Sequence, residues 1–127
     1  MIVRNLADIE GSDLDVHGDG WRAQRLLVAA DGLGFSLSET TVDGGAEMNL
    51  WYKHHNEACF VIEGSAVLSE RDSGAVHRIG PGSVYSPQQD RHTIRVIEPL
   101  RLVCVFSPAL TGQETHDADG SYLPAGD

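Results

Sequence analysis

A carboxylate and several basic side chains cluster between positions 51 and 64 of this 127-residue chain, where their types and spacing could bind a metal or move protons. Lys53, His54, His55 and Glu57 fall within five consecutive positions. Neighbouring side chains on a β-strand point to opposite faces, so only one of the two histidines can share a face with the acid. His55 has the same parity as Glu57 and is therefore the predicted inward-facing residue.

The glycines around this cluster complete a longer pattern. Gly45, Glu57 and Gly64 fit the frame Gly, five residues, His-x-His, three residues, Glu, six residues, Gly, which resembles the metal-binding strand of cupin barrels. Trp51 and Lys53 occupy the two histidine positions of the frame. The pattern therefore predicts a modified metal site that keeps the acid and loses two imidazoles.

A second segment supplies an imidazole. Pro87 and His92 fit the second cupin pattern, Pro-x-Gly-x-x-His, with Gln89 where glycine is usual. Glu57 and His92 leave a metal site incomplete, and Tyr85 is the nearest further donor. A set of two oxygens and one nitrogen suits iron better than zinc, which prefers nitrogen and sulfur. The alternative is that Tyr85 belongs to the barrel wall, with its hydroxyl hydrogen-bonded.

Trp21 and Arg25 lie four residues apart ahead of the first clear strand pattern. An aromatic face and a guanidinium can hold a small zwitterion, with the arginine binding its carboxylate in a bidentate manner. Alternatively, the tryptophan plugs one end of the barrel and the arginine lies on the surface. His17, His77 and His116 have loop-like surroundings and no partner spacing, and we expect them to be solvated.

Turn residues divide the chain into short apolar runs. Fourteen glycines and five prolines separate strand patterns, which is typical of an all-β domain with many turns. We predict strands at 24–28, 35–42, 47–52, 58–63, 65–70, 76–79, 83–85, 92–96 and 100–106. The expected fold is a small cupin-type β-barrel, a jelly roll, with short helical or irregular terminal segments. Residues 1–127 form one domain in this prediction, with about 111–127 as a C-terminal lid or tail.

The overall charge excludes some classes of partner. Nine basic and 19 acidic residues give a formal net charge of −10, which disfavours nucleic acid and anionic membrane surfaces. The N-terminus shows no signal-peptide pattern, and no apolar run approaches the roughly 20 residues that cross a bilayer. We therefore expect a cytoplasmic protein. Cys59 and Cys104 lie in apolar strand patterns, where reduced thiols usually fill the core.

Longer blocks of the chain resemble the ectoine synthase family, and the resemblance runs in register along essentially its whole length. The most specific are the Tyr-Lys-His-His-x-Glu-Ala block at 52–58 and the Leu-Thr-Gly-x-Glu-x-His-Asp block at 110–117. Further similar segments lie at 1–6, 34–37, 62–64, 90–92, 101–106 and 119–120.

The resemblance implies a cytoplasmic homodimer that uses Fe(II) to cyclise N-γ-acetyl-L-2,4-diaminobutyrate to ectoine with loss of water. It places the metal ligands at Glu57, Tyr85 and His92. It also places catalytic positions at Tyr52, His55 and Glu114. The substrate-binding positions that it implies are Trp21, Arg25, Thr40 and Phe106. Our hypothesis is that Tyr52 or His55 takes the amine proton and that Glu114 assists water departure.

Two segments depart from the family pattern. The loop at 86–90 is one residue shorter than is common in the family, and Ser38 and Glu39 differ from the polar pair that is usual there. These differences leave two alternatives to ectoine formation. The chain could cyclise or hydrolyse another N-acylated diamino acid, or it could be a non-enzymatic cupin that binds a small solute.

Overall fold

The computed structural model describes residues 1–124, and their regular secondary structure is almost entirely antiparallel β-strand. The elements in chain order are α1 (Leu6–Ile9), β1 (Asp15–Gly18), β2 (Trp21–Leu27), a 3-10 helix (Ala29–Asp31), β3 (Ser36–Val42), β4 (Glu47–Leu50), β5 (Asn56–Glu70), β6 (Val76–Ile79), β7 (Val84–Tyr85) and β8 (His92–Ser107). The predicted all-β fold is therefore confirmed.

Two long strands form the centre of the sheet. The strand order is β1-β2-β3-β8-β5-β6, with β4 paired to β8 and β7 paired to β5. The prediction of separate strands at 58–63 and 65–70 was wrong, because β5 continues through irregular pairing around Gly64. This glycine has a φ of +91°, and an added Cβ would collide with the carbonyl oxygen of Pro99. The strands predicted at 92–96 and 100–106 are likewise one strand, β8.

The alternation of side chains on β5 separates the barrel interior from the surface. Glu57, Cys59 and Val61 are buried, whereas Ala58 and Phe60 between them are exposed. An acidic and a thiol side chain thus enter the barrel interior because they share the parity of the core residues. The same strand therefore contributes both to the core and to any site inside the barrel.

The C-terminal segment folds back onto the barrel. The Trp51 amide donates a hydrogen bond of 2.9 Å to the Gly120 carbonyl, and the Asp117 carboxylate accepts the amide hydrogens of Asp119 and Ser121. This turn buries Tyr122, which is 4% exposed. Positions 125–127 of the predicted lid or tail lie outside the described residues.

Within residues 1–124, no helix has both the length and the apolar character needed to cross a membrane.

Candidate active site

The barrel interior contains a small cavity of about 50 Å³, which is room for one or two water molecules. It is lined by residues from several strands and from the C-terminal segment. Among the predicted site residues, those that line it are Trp21, Arg25, Thr40, Tyr52, Glu57, Tyr85 and Phe106. His116 and Tyr122 line it as well. Strands far apart in sequence therefore bring most of the predicted site together.

Glu57 is a buried carboxylate at the start of β5, with 7% of its surface exposed. Burial raises the pKa of Glu57 to about 7, while a hydrogen bond with the Cys59 thiol opposes the shift. Ser86 donates a 2.6 Å hydrogen bond to the Glu57 backbone carbonyl and fixes the strand beside it. A buried carboxylate is costly unless a cation or hydrogen bonds compensate its charge, so this position favours a cation nearby.

Tyr85 lies on β7 directly opposite Cys59 of β5. Burial raises the pKa of Tyr85 well above its ordinary value, and the neighbouring Cys59 and Glu57 raise it further. The side chain is therefore a neutral phenol in the absence of a metal. A coordinated metal ion would be needed to make it a phenolate ligand.

The ring of His92 is oriented like that of a metal-binding histidine. Its Nδ1 lies 3.0 Å from the Asp90 carbonyl oxygen, so Nδ1 carries the proton and Nε2 has the lone pair. Nε2 is buried and has no hydrogen-bond partner among residues 1–124. Burial lowers the pKa of His92, which keeps the ring neutral. Metal-bound histidines commonly show this arrangement, with the second nitrogen hydrogen-bonded to a carbonyl.

The predicted metal ligands line two cavities, and Tyr85 belongs to both. Tyr85 and His92 share a second, larger cavity of about 510 Å³, whereas Glu57 and Tyr85 share the interior one. Among the described histidine, cysteine, aspartate and glutamate side chains, one group has all its ligand atoms within 4.8 Å of one another, and it consists of Glu57, Cys59 and Cys104. The donors at Glu57, Tyr85 and His92 fit a metal in type, and the barrel also offers sulfur beside the carboxylate.

Tyr52 and His116 form a hydrogen-bonded pair over the cavity. The Tyr52 hydroxyl lies 2.7 Å from His116 Nε2. Burial and, to a lesser degree, the positive charge of Arg25 lower the pKa of His116 to about 4. Burial raises the pKa of Tyr52 well above its ordinary value. A neutral imidazole is therefore hydrogen-bonded to a neutral phenol.

His116 is a correction to the prediction that it is solvated. The ring is half-buried and contacts Trp21 edge-to-face, with 5.1 Å between ring centroids. It also stacks on Tyr122 at a centroid distance of 4.6 Å. The prediction failed because the turn at Gly120 folds the polar segment back over the barrel. A signal was present, since His116 belongs to the specific block at 110–117, whereas no sequence pattern pointed to Tyr122.

His55 lies inside the barrel immediately before β5, as its parity predicts, and His54 is exposed. Both ring nitrogens of His55 are buried and lack a hydrogen-bond partner among the described residues. Burial lowers the pKa of His55, while the negative charge of Glu114 partly offsets the shift. The ring packs edge-to-face against Phe106, at 5.9 Å between centroids. It is a neutral imidazole with free nitrogens, which is a suitable state for accepting a proton.

The Glu114 carboxylate stabilises a tight turn and also influences His55. Its carboxylate accepts the amide hydrogens of Thr111 at 2.7 Å and Gly112 at 2.8 Å. Burial by itself would raise the pKa of Glu114, but these backbone hydrogen bonds outweigh it and the pKa is lowered. The side chain is thus an anion near neutral pH. It acts on His55 through its charge.

Arg25 is buried in the barrel with 1% of its surface exposed, so the alternative of a surface arginine is wrong. Nη1 donates to the Gly112 carbonyl at 3.0 Å, and Nη2 donates to the Tyr122 hydroxyl at 3.3 Å. Nε is buried and has no partner within residues 1–124. The guanidinium therefore has donor capacity that the described residues do not use.

The two residues that depart from the family pattern face opposite sides of β3. Ser38 lines the cavity, and its hydroxyl lies 3.3 Å from that of Thr40. Glu39 instead pairs with Arg101, at 2.6 Å from Nε. The departure at Ser38 therefore bears on the interior, and the departure at Glu39 concerns a cross-strand ion pair.

Comparisons with known proteins show which family this chain resembles. A family model described as ectoine synthase matches residues 1–126. A relative from Desulfosudis oleivorans named L-ectoine synthase is 47% identical over 124 residues, which is 96% of each chain. The crystal structure of ectoine synthase from P. lautus matches 100% of this chain and 93% of its own, with a TM-score of 0.86 and 40% identity.

A more distant structure shows the fold alone. An RmlC-like cupin from Shewanella frigidimarina matches 75% of this chain and 82% of its own, with a TM-score of 0.59 and 21% identity. The similarity confirms the prediction of a small cupin-type barrel.

Proposed function

The chain belongs to the ectoine synthase family, and on that premise we propose that it cyclises N-γ-acetyl-L-2,4-diaminobutyrate to L-ectoine with release of water. In this reaction the α-amine nitrogen forms a bond to the acetamide carbon, and the carbonyl oxygen leaves as water with two protons. The observation that supports it best is the shared interior of Arg25, Glu57 and Tyr52, because it offers a guanidinium, a buried acid and a hydrogen-bonding phenol to one small ligand.

We propose that Glu57, Tyr85 and His92 hold an iron(II) ion. A cation would compensate the buried carboxylate of Glu57, and Nε2 of His92, which has no hydrogen-bond partner among the described residues, has a lone pair to offer it. When bound, the ion would supply Lewis acidity toward the acetamide oxygen and would balance the buried negative charge.

His55 is the better candidate for the proton acceptor. Attack requires a neutral amine, and His55 is a neutral imidazole with free nitrogens. The nearby charge of Glu114 would stabilise the imidazolium that forms, and His55 could then return the proton to the departing oxygen. Tyr52 is hydrogen-bonded to His116 and has a strongly raised pKa, which suits a donor more than a base. This assigns Glu114 an electrostatic role in water departure.

The remaining predicted residues would hold the substrate. Arg25 would bind its carboxylate through the unused donor, with Trp21 and Phe106 against the aliphatic carbons and Thr40 as a polar contact. The 50 Å³ cavity admits water but not an acylated amino acid, so the cavity would have to enlarge for binding. Displacement of the Tyr122 ring from Arg25 would enlarge it, and this role for the segment predicted as a lid or tail is part of the proposal.

Product identification is the direct test. Purified protein loaded anaerobically with iron(II) is incubated with synthetic N-γ-acetyl-L-2,4-diaminobutyrate and followed by NMR. We expect the ring signals of ectoine. Appearance of free acetate would instead indicate hydrolysis, and an unchanged substrate with no bound iron would favour the solute-binding alternative.

A matched pair of variants tests the metal site. Glu57→Ala should lose both iron and turnover, because the buried acid is a proposed ligand. Glu63→Ala is the control, since Glu63 lies on the same strand but is 68% exposed at its side chain. Full activity of the Glu57 variant would exclude the proposed ligand set.

We also propose that the protein is a cytoplasmic homodimer. Phe60 of β5 and Val84 of β7 are paired neighbours on the outer face, at 47% and 68% exposure. An apolar pair of this kind is suited to a subunit interface. Sedimentation analysis of the wild type and of Val84→Lys would test it, with a shift toward monomer expected for the variant.

A further inference from the structure

The strand pair β5 and β8 places two thiols beside the buried carboxylate. Cys59 and Cys104 are direct cross-strand partners, and their sulfur atoms lie 3.2 Å apart. Both thiols are free and buried, and both line the interior cavity. The geometry points to a second cation site, and we propose that Glu57, Cys59 and Cys104 bind a thiophilic divalent cation of the zinc and cadmium class.

The distances suit such an ion. The three ligand atoms lie within 4.8 Å of one another. Donors around a tetrahedral zinc ion, with Zn–S near 2.3 Å, are separated by about 3.5–3.8 Å. The two sulfurs need to move apart by only about half an ångström to reach that separation. The group can therefore close around an ion without moving a strand.

The chemistry of the donors selects the class of cation. Thiolates favour zinc and other soft or borderline ions over hard ones. Binding removes one proton from each thiol, and both protons go to solvent. The product is one ion held by two thiolates and one carboxylate, and a water molecule from the cavity can complete a four-coordinate shell.

This site shares Glu57 with the proposed iron site. Competition between the two ions therefore rests on the proposed function, whereas cation binding by the thiols does not. Glu57 is the one carboxylate among the described residues that line the interior cavity, so an ion bound through it leaves no second carboxylate to offset the repulsion from an iron(II) ion nearby. A thiophilic cation would therefore exclude iron from the barrel. The cysteine pair makes the enzyme sensitive to zinc and cadmium.

Cadmium binding to iron-free protein tests the site directly. Anaerobic protein with both thiols confirmed as free is titrated with Cd²⁺, and the cadmium–thiolate charge-transfer band is recorded in the ultraviolet. We expect one Cd²⁺ per chain. The band should be absent from Cys59→Ala/Cys104→Ala, and Glu57→Gln should weaken binding by at least the roughly 10- to 100-fold known for lost outer-shell partners.

His77→Ala is the matched control, because His77 and Glu70 form an exposed pair at 2.7 Å that could bind a cation adventitiously. This variant should keep the full band. Absence of a band in the wild type, or its persistence in the double cysteine variant, would overturn the proposal. If the double variant does not fold, the wild-type protein is treated with a thiol-alkylating reagent with and without Cd²⁺. Slower alkylation of the thiols in the presence of Cd²⁺ supports the site, and an unchanged rate overturns it.

Preloading with iron(II) separates this inference from the proposed function. If iron suppresses the cadmium band, this supports Glu57 as a ligand of both ions. If iron leaves the band unchanged, Glu57 is not a shared ligand. If Glu57→Ala retains iron while the cadmium band still needs both cysteines, the proposed iron ligands are wrong and the thiol site stands.

Discussion

The hydroxyl group of Tyr52 lies 2.7 Å from Nε2 of His116, and this hydrogen bond joins the barrel interior to the C-terminal segment. The imidazole also stacks on Tyr122, which in turn contacts Arg25. One short chain of contacts thus runs from the proposed proton-transfer residues to the proposed carboxylate-binding residue. A change at either end should therefore affect catalysis as well as binding.

Replacement of Tyr52 with phenylalanine should lower kcat by roughly 100-fold or more, if its hydroxyl takes part in proton transfer. The hydroxyl is lost and His116 Nε2 is left without this hydrogen-bond partner, while the iron content stays the same. The measurement is ectoine formation by NMR together with metal analysis. Tyr122→Phe is the comparison, since it removes a phenol from the same cavity but leaves the hydrogen bond between Tyr52 and His116 in place. A Tyr52 variant with wild-type kcat would remove Tyr52 from the mechanism.

Replacement of Arg25 with lysine should raise KM by roughly 10- to 100-fold, with a smaller effect on kcat, because a charged hydrogen bond contributes about 1.5–3 kcal/mol. Lysine cannot reproduce the fork that reaches Gly112 and a substrate carboxylate. Arg22→Lys is the control on the same strand, since Arg22 faces the other way and pairs with Asp15 at 2.7 Å. Equal KM values for the two variants would argue against carboxylate binding by Arg25.

The strand content could be predicted from the sequence because each strand shows its own alternation or apolar run. The points at which one strand ends and the next begins were harder to predict. Gly64 has the features of a turn, yet it lies within β5 at a position where its lack of a side chain accommodates Pro99. A glycine in the sequence does not by itself distinguish a turn from a kink in a long strand, because the difference depends on the partner strand.

The candidate site shows the same limit. Parity alone predicted that His55 is buried and His54 exposed, since neighbouring positions alternate. His116 was misjudged because its burial depends on a turn four residues later and on Tyr52, which lies 64 positions away. Tyr122 gave no signal for the same reason. Contacts made by a polar terminal segment are tertiary, and residue type does not reveal them.

Protonation of His116 should destabilise the iron-free protein between about pH 6.5 and pH 4. The folded pKa is about 4 because of burial, whereas the ordinary value is 6.5, so only the unfolded chain gains the proton in that window. Stability is therefore lost as the pH falls, by up to about 3 kcal/mol. Glu57 acts in the opposite direction, because its folded pKa is raised to about 7.

The comparison that isolates this effect is between the wild type and His116→Gln in urea unfolding at several pH values. The difference in unfolding free energy between the two proteins should shrink as the pH falls, because the glutamine variant has no proton to gain. His77→Gln, at an exposed position, serves as the control and should follow the wild type. A wild-type curve parallel to that of His116→Gln would contradict the predicted burial of His116.

Replacement of Gly120 with alanine should loosen the C-terminal segment and weaken substrate binding. Gly120 has a φ of +72°, and an added Cβ would collide with the Asn49 carbonyl oxygen and lie 2.9 Å from the Leu50 Cα. Gly74 is a matched control, since its φ is +78° and no atom lies within 4 Å of its Cβ position. Both variants carry the same backbone cost of about 1–2 kcal/mol, so any excess destabilisation in the Gly120 variant reports the collision.

We expect at least about 1 kcal/mol of additional destabilisation of the Gly120 variant in urea unfolding, faster proteolysis after position 110 and a higher KM. Equal unfolding free energies for the two variants would mean that the segment does not depend on this turn.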